Sequence, residues 1–177
     1  MNKQRMVSPT SELKDASSGH VLTFQLAAQR YGLPVTDVNQ IIEIVAITHL
    51  PQMPQGIQGA INVHGRVVPV IDLRLRFGLD CMPYHLHTPL ILVEAGDQLL
   101  ALIVDAVHEV VEVALPTHDA PSVVQYGQEL IPLIDTAHLL NQQEQQQLAQ
   151  RLPASSSRSA TNGKNGINRQ APGAALL

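Results

Sequence analysis

The side chains best suited to catalysis or metal binding lie in one short stretch. Cys81, His85 and His87 follow one another closely between two apolar segments. A thiol beside imidazoles could serve as a nucleophile or redox centre, and alternate histidines on an extended segment could share a metal ion. A reactive thiol, however, needs surroundings that lower its pKa, and a zinc site needs a third and a fourth ligand that the sequence does not supply. The stretch therefore predicts a connector, with no metal, no cofactor and no catalytic residues.

The remaining polar clusters point to structural roles. Asp105, His108 and Glu109 are typical of a solvated surface on a strand-turn-strand segment. Asp72 and Asp135 end equivalent apolar runs, and their duplication favours bonding of turn amides over acid–base work. Phosphate-binding glycine loops and the G-x-S-x-G nucleophile motif are absent from the sequence. The sequence therefore predicts a protein that works through its surfaces and not as an enzyme.

These residues are embedded in two copies of one β-rich unit. The segment 60–72 matches 122–135, with one extra residue in the second turn, and 29–43 matches 98–112. The matched turn and strand-end residues are Gly65 with Gly127, Pro69 with Pro132, and Asp72 with Asp135. Two copies are too few for a solenoid, which needs at least ~3 repeats. They favour paired small barrels or sheets, with copy one at about 20–79 and copy two at about 88–140.

Apolar alternation and β-branched residues predict strands throughout both copies. The predicted strands are 21–26, 31–35, 41–47, 60–63, 67–72, 89–95, 98–104 and 107–113, followed by the hairpin within 122–135. A single helical turn is expected at 36–40, and the loop 48–59 is expected to be exposed to partners. The sequence thus predicts an all-β domain over 20–152.

The ends of the chain differ in composition from this domain. Residues 1–19 and 153–177 are polar or rich in Ser, Asn and Gly, which predicts disordered tails. A terminal amphipathic helix is expected at 136–152, with 141–147 too polar to be buried.

Composition limits the possible partners and compartments. The formal net charge is -4 and the pI is near 6.0, which argues against sequence-independent binding of nucleic acid. The single cysteine fits a reducing compartment. No apolar run approaches the roughly 18 residues of a membrane span. We therefore expect a cytoplasmic protein without nucleic-acid partners or direct membrane insertion.

Three motifs resemble the CheW family of bacterial chemotaxis coupling proteins. They are Phe24-Gln-Leu-x-x-x-Arg-Tyr-Gly-Leu-Pro-x-x-x-Val38, then Leu50-Pro51, then Gly59-Ala-Ile-Asn-Val-x-Gly-Arg-Val-Val-Pro-Val-Ile-Asp-Leu-Arg74. The resemblance extends over about residues 21–140. It implies two five-stranded SH3-like β-barrels and an adaptor without enzymatic activity. The C-terminal helix predicted above would follow the second barrel.

The resemblance also implies partners and site residues. CheW-like proteins join the regulatory domain of a CheA-type histidine kinase to the cytoplasmic tip of chemoreceptors. The kinase-facing residues implied by position are Val38, Gln40, Ile41, Gly59 and Asn62. The receptor-facing residues are His64, Ile91, Val93 and Val104, the last three in a groove between the barrels. Glutamate at Val38 or Gly59 is expected to weaken kinase binding without unfolding the domain.

Two positions depart from the family pattern. The family commonly has Glu where Gln40 stands and Arg where His64 stands. Losing both together avoids leaving one charge unpaired, and His64 replaces a permanent charge with a pH-dependent one. These departures leave room for a divergent accessory protein that binds the kinase alone, in a system controlling surface motility or a second messenger.

Two further classes of function stay open at this stage. A metal-dependent or thiol enzyme would use Cys81, His85 and His87, and stoichiometric zinc in the purified protein would support it. A small-ligand sensor would show a ligand-induced rise in melting temperature.

Overall fold

A computed structural model describes residues 18–115 and 122–152, which are predominantly β-strand. The strands are β1 Ser18–Leu26, β2 Gln29–Pro34, β3 Val38–Glu43, β4 Ile57–Val63, β5 Arg66–Asp72, β6 Pro89–Ala95, β7 Gln98–Ile103, β8 Ala106–Ala114, β9 Val123–Tyr126 and β10 Glu129–Pro132. The helices are α1 Leu73–Arg76 and α2 Gln142–Arg151, with 3-10 turns at Val35–Asp37 and Thr136–His138. The all-β prediction is confirmed. No helix of the described residues is long and apolar enough to cross a bilayer.

The first strand begins earlier than its sequence suggests. Ser18 and Gly19, assigned above to a disordered tail, pair with Ala114 and Val113 of β8. Two polar, small residues are tolerated there because the ladder hydrogen bonds come from the backbone and not from the side chains. The predicted tails at 1–17 and 153–177 lie outside the described residues.

The strands form two halves of matching order. One is a five-stranded sheet, β3-β6-β7-β5-β4, antiparallel except for the β5–β7 pair; we call it the five-stranded half. The other, the split half, contains the sheet β2-β1-β8 and the hairpin β9–β10. A parallel bridge between Gly32 and Leu133 and a hydrogen bond from the Ile134 amide to the Gly32 carbonyl (2.8 Å) place β10 beside β2.

Each half therefore takes strands from both sequence copies. The order β8-β1-β2-β10-β9 becomes β3-β6-β7-β5-β4 when the equivalent strands of the two copies are exchanged. The duplication visible in the sequence predicts the strands, but not this exchange. Neither copy forms its half alone, so the two copies must fold as one unit.

Three clusters of buried apolar side chains form the cores of the two halves and the contact between them. The central cluster lies between them and includes Phe24, Leu33 and Leu102, all fully buried. Two smaller clusters fill the five-stranded half and the split half separately. On β6, Leu90 and Leu92 face the smaller cluster while Ile91 and Val93 face the central one. That burial on both faces explains why the strand reads as a continuous apolar run.

The two repeat hairpins have turns of equal length. His64 and Gly65 turn β4 into β5 with φ of 49° and 85°, as a type I′ turn requires. Gly127 (φ 62°) and Gln128 connect β9 to β10, since Tyr126 pairs with Glu129. The extra residue expected in the second turn was wrong: the offset stays constant, and the glycine has moved to the position equivalent to His64.

The two duplicated aspartates cap the elements that follow them. Asp72 accepts from the amides of Arg74 (2.8 Å) and Leu75 (3.4 Å) at the start of α1. Asp135 accepts from the Ala137 amide (3.0 Å) at the equivalent 3-10 turn. The predicted bonding of turn amides is confirmed.

The terminal helix is shorter and more deeply buried than predicted. Asn141 and Glu144 form a capping box, in which each side chain accepts from the other residue's amide, at 2.8 and 2.9 Å. The expectation that 141–147 is too polar to be buried was wrong for Glu144, which is only 4% exposed, whereas the other residues of that stretch are exposed or half-buried. The Glu144 carboxylate can be buried because Arg76 pairs with it at 2.6 and 2.8 Å.

Candidate docking surface

Strand β3 presents a partly apolar edge. It pairs with β6 on one side, and within the described residues no strand pairs with its other side. Its side chains alternate, so Ile41 is 45% exposed while Val38 is half-buried against the central cluster. Gln40, half-buried, follows a register irregularity after Val38. An unpaired edge with an exposed isoleucine can accept a strand or an apolar patch from a partner.

Strand β4 carries the other kinase-facing candidates at the opposite end of the sheet order. Asn62 is exposed, and its side-chain oxygen accepts from the Gly65 amide (2.8 Å), which stabilises the turn. His64 is exposed at the tip of the same turn. The chain leaving β3 returns to β4 at Thr48, which exchanges two backbone hydrogen bonds with Ala60 (2.8 and 2.9 Å).

At Gly59 the backbone of β4 packs directly against the backbone at Thr48. Gly59 is buried with φ of 150°, and a Cβ atom there would lie 2.2 Å from the Thr48 carbonyl oxygen. Glutamate at Gly59 would therefore break the contact between β4 and Thr48, contrary to the expectation that it would leave the domain folded. Val38 packs on the central cluster, so glutamate there would also place a charge against the core.

The candidate receptor groove is closed in this structure. Ile91, Val93 and Val104 do come together, but each is fully buried in the central cluster. Strand β6 has neighbours on both edges and packing on both faces, so its central apolar side chains, from Leu90 to Val93, are buried. In this structure these three residues pack in the central cluster between the two halves.

The connector between the copies forms part of the surface. Met82, Tyr84 and Leu86 are exposed, and Leu86 most of all, at 82%. Beside them lies a groove of about 430 Å³. Its lining comes from the segment after β3, from β4 and from the connector: Ile44, Val45, Ala46, Ile47, His49, Gln58, Tyr84 and Leu86. Sequence reasoning missed this groove, although apolar residues at every second position of 82–86 were a signal that they share one face.

Polar contacts fasten the connector to the end of β5. Arg74 donates to the Asp80 carbonyl (2.8 Å), and the Tyr84 hydroxyl donates to the Asp72 carboxylate. Partial burial, and then the hydrogen bond to Asp72, raise the pKa of Tyr84. The hydroxyl therefore remains a protonated hydrogen-bond donor to higher pH than that of a solvated tyrosine.

Asp105 joins the two halves. Arg74 pairs with it through two guanidinium nitrogens, and it also accepts from the Ala27 amide (2.6 Å) in the β1–β2 turn. The hydrogen bond to Asp105 raises the pKa of Arg74 despite the opposing effect of burial. Asp105, His108 and Glu109 are all exposed, as expected, but the sequence did not indicate that Asp105 pairs with Arg74.

The cysteine and histidines of the connector do not converge on one point. Cys81 is exposed, and His87 pairs instead with Glu43, at 2.8 Å from Nδ1 to Oε1. Across residues 18–115 and 122–152, no three His, Cys, Asp or Glu side chains are grouped as a metal would require. The surface features that the described residues do form are the open edge of β3 and the apolar groove beside Leu86, which suit protein recognition.

Comparison of the chain with known proteins shows which family it is similar to. A family model described as a CheW-like domain matches residues 20–121. The chemotaxis protein CheW of Klebsiella aerogenes is 27% identical over 136 residues, which cover 70% of this chain and 82% of that protein. Protein PilI of Pseudomonas aeruginosa is 29% identical over 84 residues, 48% of this chain and 47% of PilI. The crystal structure of the scaffolding protein TtCheW from Thermoanaerobacter tengcongensis matches with a TM-score of 0.64 and 31% identity, covering 72% of this chain and 96% of that one.

Proposed function

The chain belongs to the CheW-like family, and on that premise we propose that it is a non-enzymatic scaffold coupling a CheA-type histidine kinase to chemoreceptors. The names of its relatives, which include chemotaxis and scaffolding proteins, support this role. The proposed domain spans residues 20–152. The proposed partners are cytoplasmic, so we place the protein at receptor arrays on the cytoplasmic side.

The open edge of β3 is the observation that carries this proposal. Ile41 lies at its centre, 45% exposed, and the apolar groove beside Leu86 continues from the end of the strand. Large apolar side chains on an unpaired strand edge are avoided in proteins that work alone, because they favour association. We propose that the regulatory domain of the kinase covers this edge, with Gln40 as a polar contact on β3, and that Asn62 on β4 provides a second polar contact.

A second candidate is an accessory protein that binds the kinase but not the receptors. The burial of Ile91, Val93 and Val104 favours it, since the receptor groove assigned to them is closed. His64, where the family commonly has Arg, remains the exposed receptor candidate. Pull-down of a receptor tip by the preformed kinase complex separates the two: retention supports the coupler, and its absence supports the accessory protein.

Calorimetric titration against the regulatory domain of a CheA-type kinase from the same organism tests the proposal. We expect saturable one-to-one binding and no turnover of any added nucleotide. The absence of binding to every such kinase of the organism would contradict the proposal. An unrelated protein titrated in the same way serves as the control for nonspecific association.

A further inference from the structure

The connection between β3 and β4 is long and irregular. It spans residues 44–56, and the two strands that it joins carry every candidate kinase-facing residue. Loops of this length without regular structure are uncommon in compact domains and are usually functional. The contacts that hold this loop should therefore decide the shape of the candidate docking surface.

Backbone hydrogen bonds hold the loop near both of its ends. Thr48 and Ala60 exchange two hydrogen bonds, and the Thr48 carbonyl packs directly on Gly59. At the far end, the Gly56 carbonyl accepts from the Asp72 amide (2.8 Å). Gly56 also lies close to Arg76 of α1, whose Cα atom would be 3.5 Å from a Cβ at Gly56.

The middle of the loop is held by the terminal helix. Arg151, in the last turn of α2, donates to the Pro51 carbonyl, and its other terminal nitrogen lies 3.5 Å from the Gln52 side-chain oxygen. Gln52 has φ of 59°, a left-handed conformation that costs a non-glycine residue about 1 kcal/mol or more. A strained residue persists only where its surroundings hold it, and Arg151 supplies such a contact.

The helix is itself firmly anchored. Leu148 is fully buried in the central cluster, and Glu144 pairs with Arg76. Through Arg76 the helix reaches the end of the loop at Gly56, and through Arg151 it reaches the middle. A single helix that follows the second sequence copy thus contacts the loop of the first copy directly and through α1.

We propose that α2 is a clamp that fixes loop 44–56, and through it the placement of strands β3 and β4 that the loop joins, in the shape that the kinase recognises. Arg151 is the positioning residue in this clamp; it acts through Pro51 and Thr48 and does not touch the partner. The inference rests on the proposed function, because the kinase is the partner whose binding the clamp controls.

Three variants of the full chain test the clamp. Arg151→Ala removes the contact with Pro51, Arg151→Lys keeps a donor for the Pro51 carbonyl, and Gln146→Ala changes an exposed residue of the same helix. The first measurement is amide hydrogen exchange at Thr48 and Ala60, whose mutual hydrogen bonds report on the loop. The second is calorimetric affinity for the kinase regulatory domain.

For Arg151→Ala we expect amide exchange and the kinase Kd to rise about tenfold, as the loss of one charge-assisted hydrogen bond predicts. Arg151→Lys should recover most of both values, and Gln146→Ala should match the wild type. Recovery by lysine separates positioning from a general loss of helix stability.

Two outcomes would overturn the inference. Unchanged exchange at Thr48 and Ala60 in Arg151→Ala would show that the helix does not hold the loop. Faster exchange with unchanged affinity would show that the loop does not shape the docking edge. If the wild type binds no kinase, the proposed function and the positioning role both fail, while the exchange data still decide whether α2 clamps the loop.

Discussion

The five-stranded half and the split half share one strand order but differ in how completely they are joined. In the five-stranded half, β5 pairs with β7 over Val70–Asp72, which places the repeat hairpin inside a continuous sheet. In the split half, the equivalent hairpin meets β2 at the single bridge between Gly32 and Leu133. The sheet that is continuous is also the one with the long loop and the candidate docking edge.

This difference shows what duplication preserved and what diverged. Both halves keep the capping aspartate and the positive-φ glycine of the hairpin turn. They differ at single positions: Gly59 is replaced by Ser122 in the second copy, and Arg74 by Ala137. Topology thus follows the shared residues, whereas the asymmetric residues make contacts that one half lacks: Gly59 packs on the loop at Thr48, and Arg74 pairs with Asp105.

The largest expected effect comes from the Gly59 and Ser122 pair. Gly59→Ala places a Cβ against the Thr48 carbonyl at a backbone conformation that favours glycine, and should cost about 4 kcal/mol of unfolding free energy. Ser122→Ala, at the exposed equivalent position, should change it by less than about 0.5 kcal/mol. Urea unfolding measures both. Equal effects would show that the two halves do not differ at this contact.

Asp105→Ala tests the ion pair between Arg74 and Asp105, whose repeat-equivalent positions, Ala137 and Thr36, cannot form one. The substitution leaves the buried Arg74 guanidinium without its carboxylate partner, and should cost about 3 kcal/mol. Its repeat equivalent, Thr36→Ala, alters an exposed hydroxyl and should cost less than about 0.5 kcal/mol. Chemical denaturation measures the free energy of unfolding of both variants. A small decrease for Asp105→Ala would mean that the ion pair does not join the halves.

Acid should weaken the attachment of α2 beside the five-stranded half. Burial opposes ionisation of Glu144, but the hydrogen bonds from Arg76 and from the Asn141 amide lower its pKa below the ordinary value of 4.5. Because the folded pKa is below the unfolded one, the stabilisation is fully present above pH 4.5 and is lost as the pH falls through the folded value.

Glu144→Gln isolates the contribution of the Arg76–Glu144 pair to the loss of stability at low pH. At pH 7 the variant should lose about 2 kcal/mol, and the gap to the wild type should narrow below pH 4.5 in urea titrations. Glu129→Gln, which removes one of the two exposed carboxylate partners of Arg30 in the split half, should change stability by less than about 0.5 kcal/mol. A gap that stays constant with pH would contradict this account of the ion pair.

The smallest expected effect compares the two hairpin turns. Gly65 and Gly127 have positive φ, and a Cβ at either would meet open space, so substitution costs only backbone strain. Gly65→Val and Gly127→Val should each lower stability by about 1 kcal/mol, whereas Gly65→Asn should cost less because asparagine tolerates this conformation. Thermal melts compare the three variants with the wild type. An unchanged melting temperature for Gly65→Val would contradict the claim that the turn requires a residue tolerant of positive φ.

The local β-structure could be predicted from the sequence because it depends on short-range patterns. Strand β6 was predicted with its observed bounds, and Asp72 and Asp135 were assigned their roles, because alternation and capping act within a few residues. The exchange of strands between copies could not be predicted, since identical patterns allow either pairing. It also decides burial: Ile91 and Val93 resemble groove residues until the second half covers them.

Contacts between distant segments account for the other errors. Glu144 appears solvated within its glutamine-rich run, and only Arg76 makes its burial tolerable. Asp105 appears to belong with His108, yet it pairs with Arg74. In each case the polar side chain has a partner far along the chain, and no local periodicity records such a partner.

The most direct test of the account is a matched titration of Ile41→Glu and Val110→Glu against the kinase regulatory domain. The two residues occupy the same position in the two copies and are exposed to similar extents, 45% and 51%, so their effects on folding should be alike. We predict that Ile41→Glu weakens binding by about tenfold or more, the penalty of desolvating a charge at an interface, while Val110→Glu leaves it unchanged. Loss of binding in Val110→Glu alone, or in neither variant, would contradict the assignment of docking to the five-stranded half.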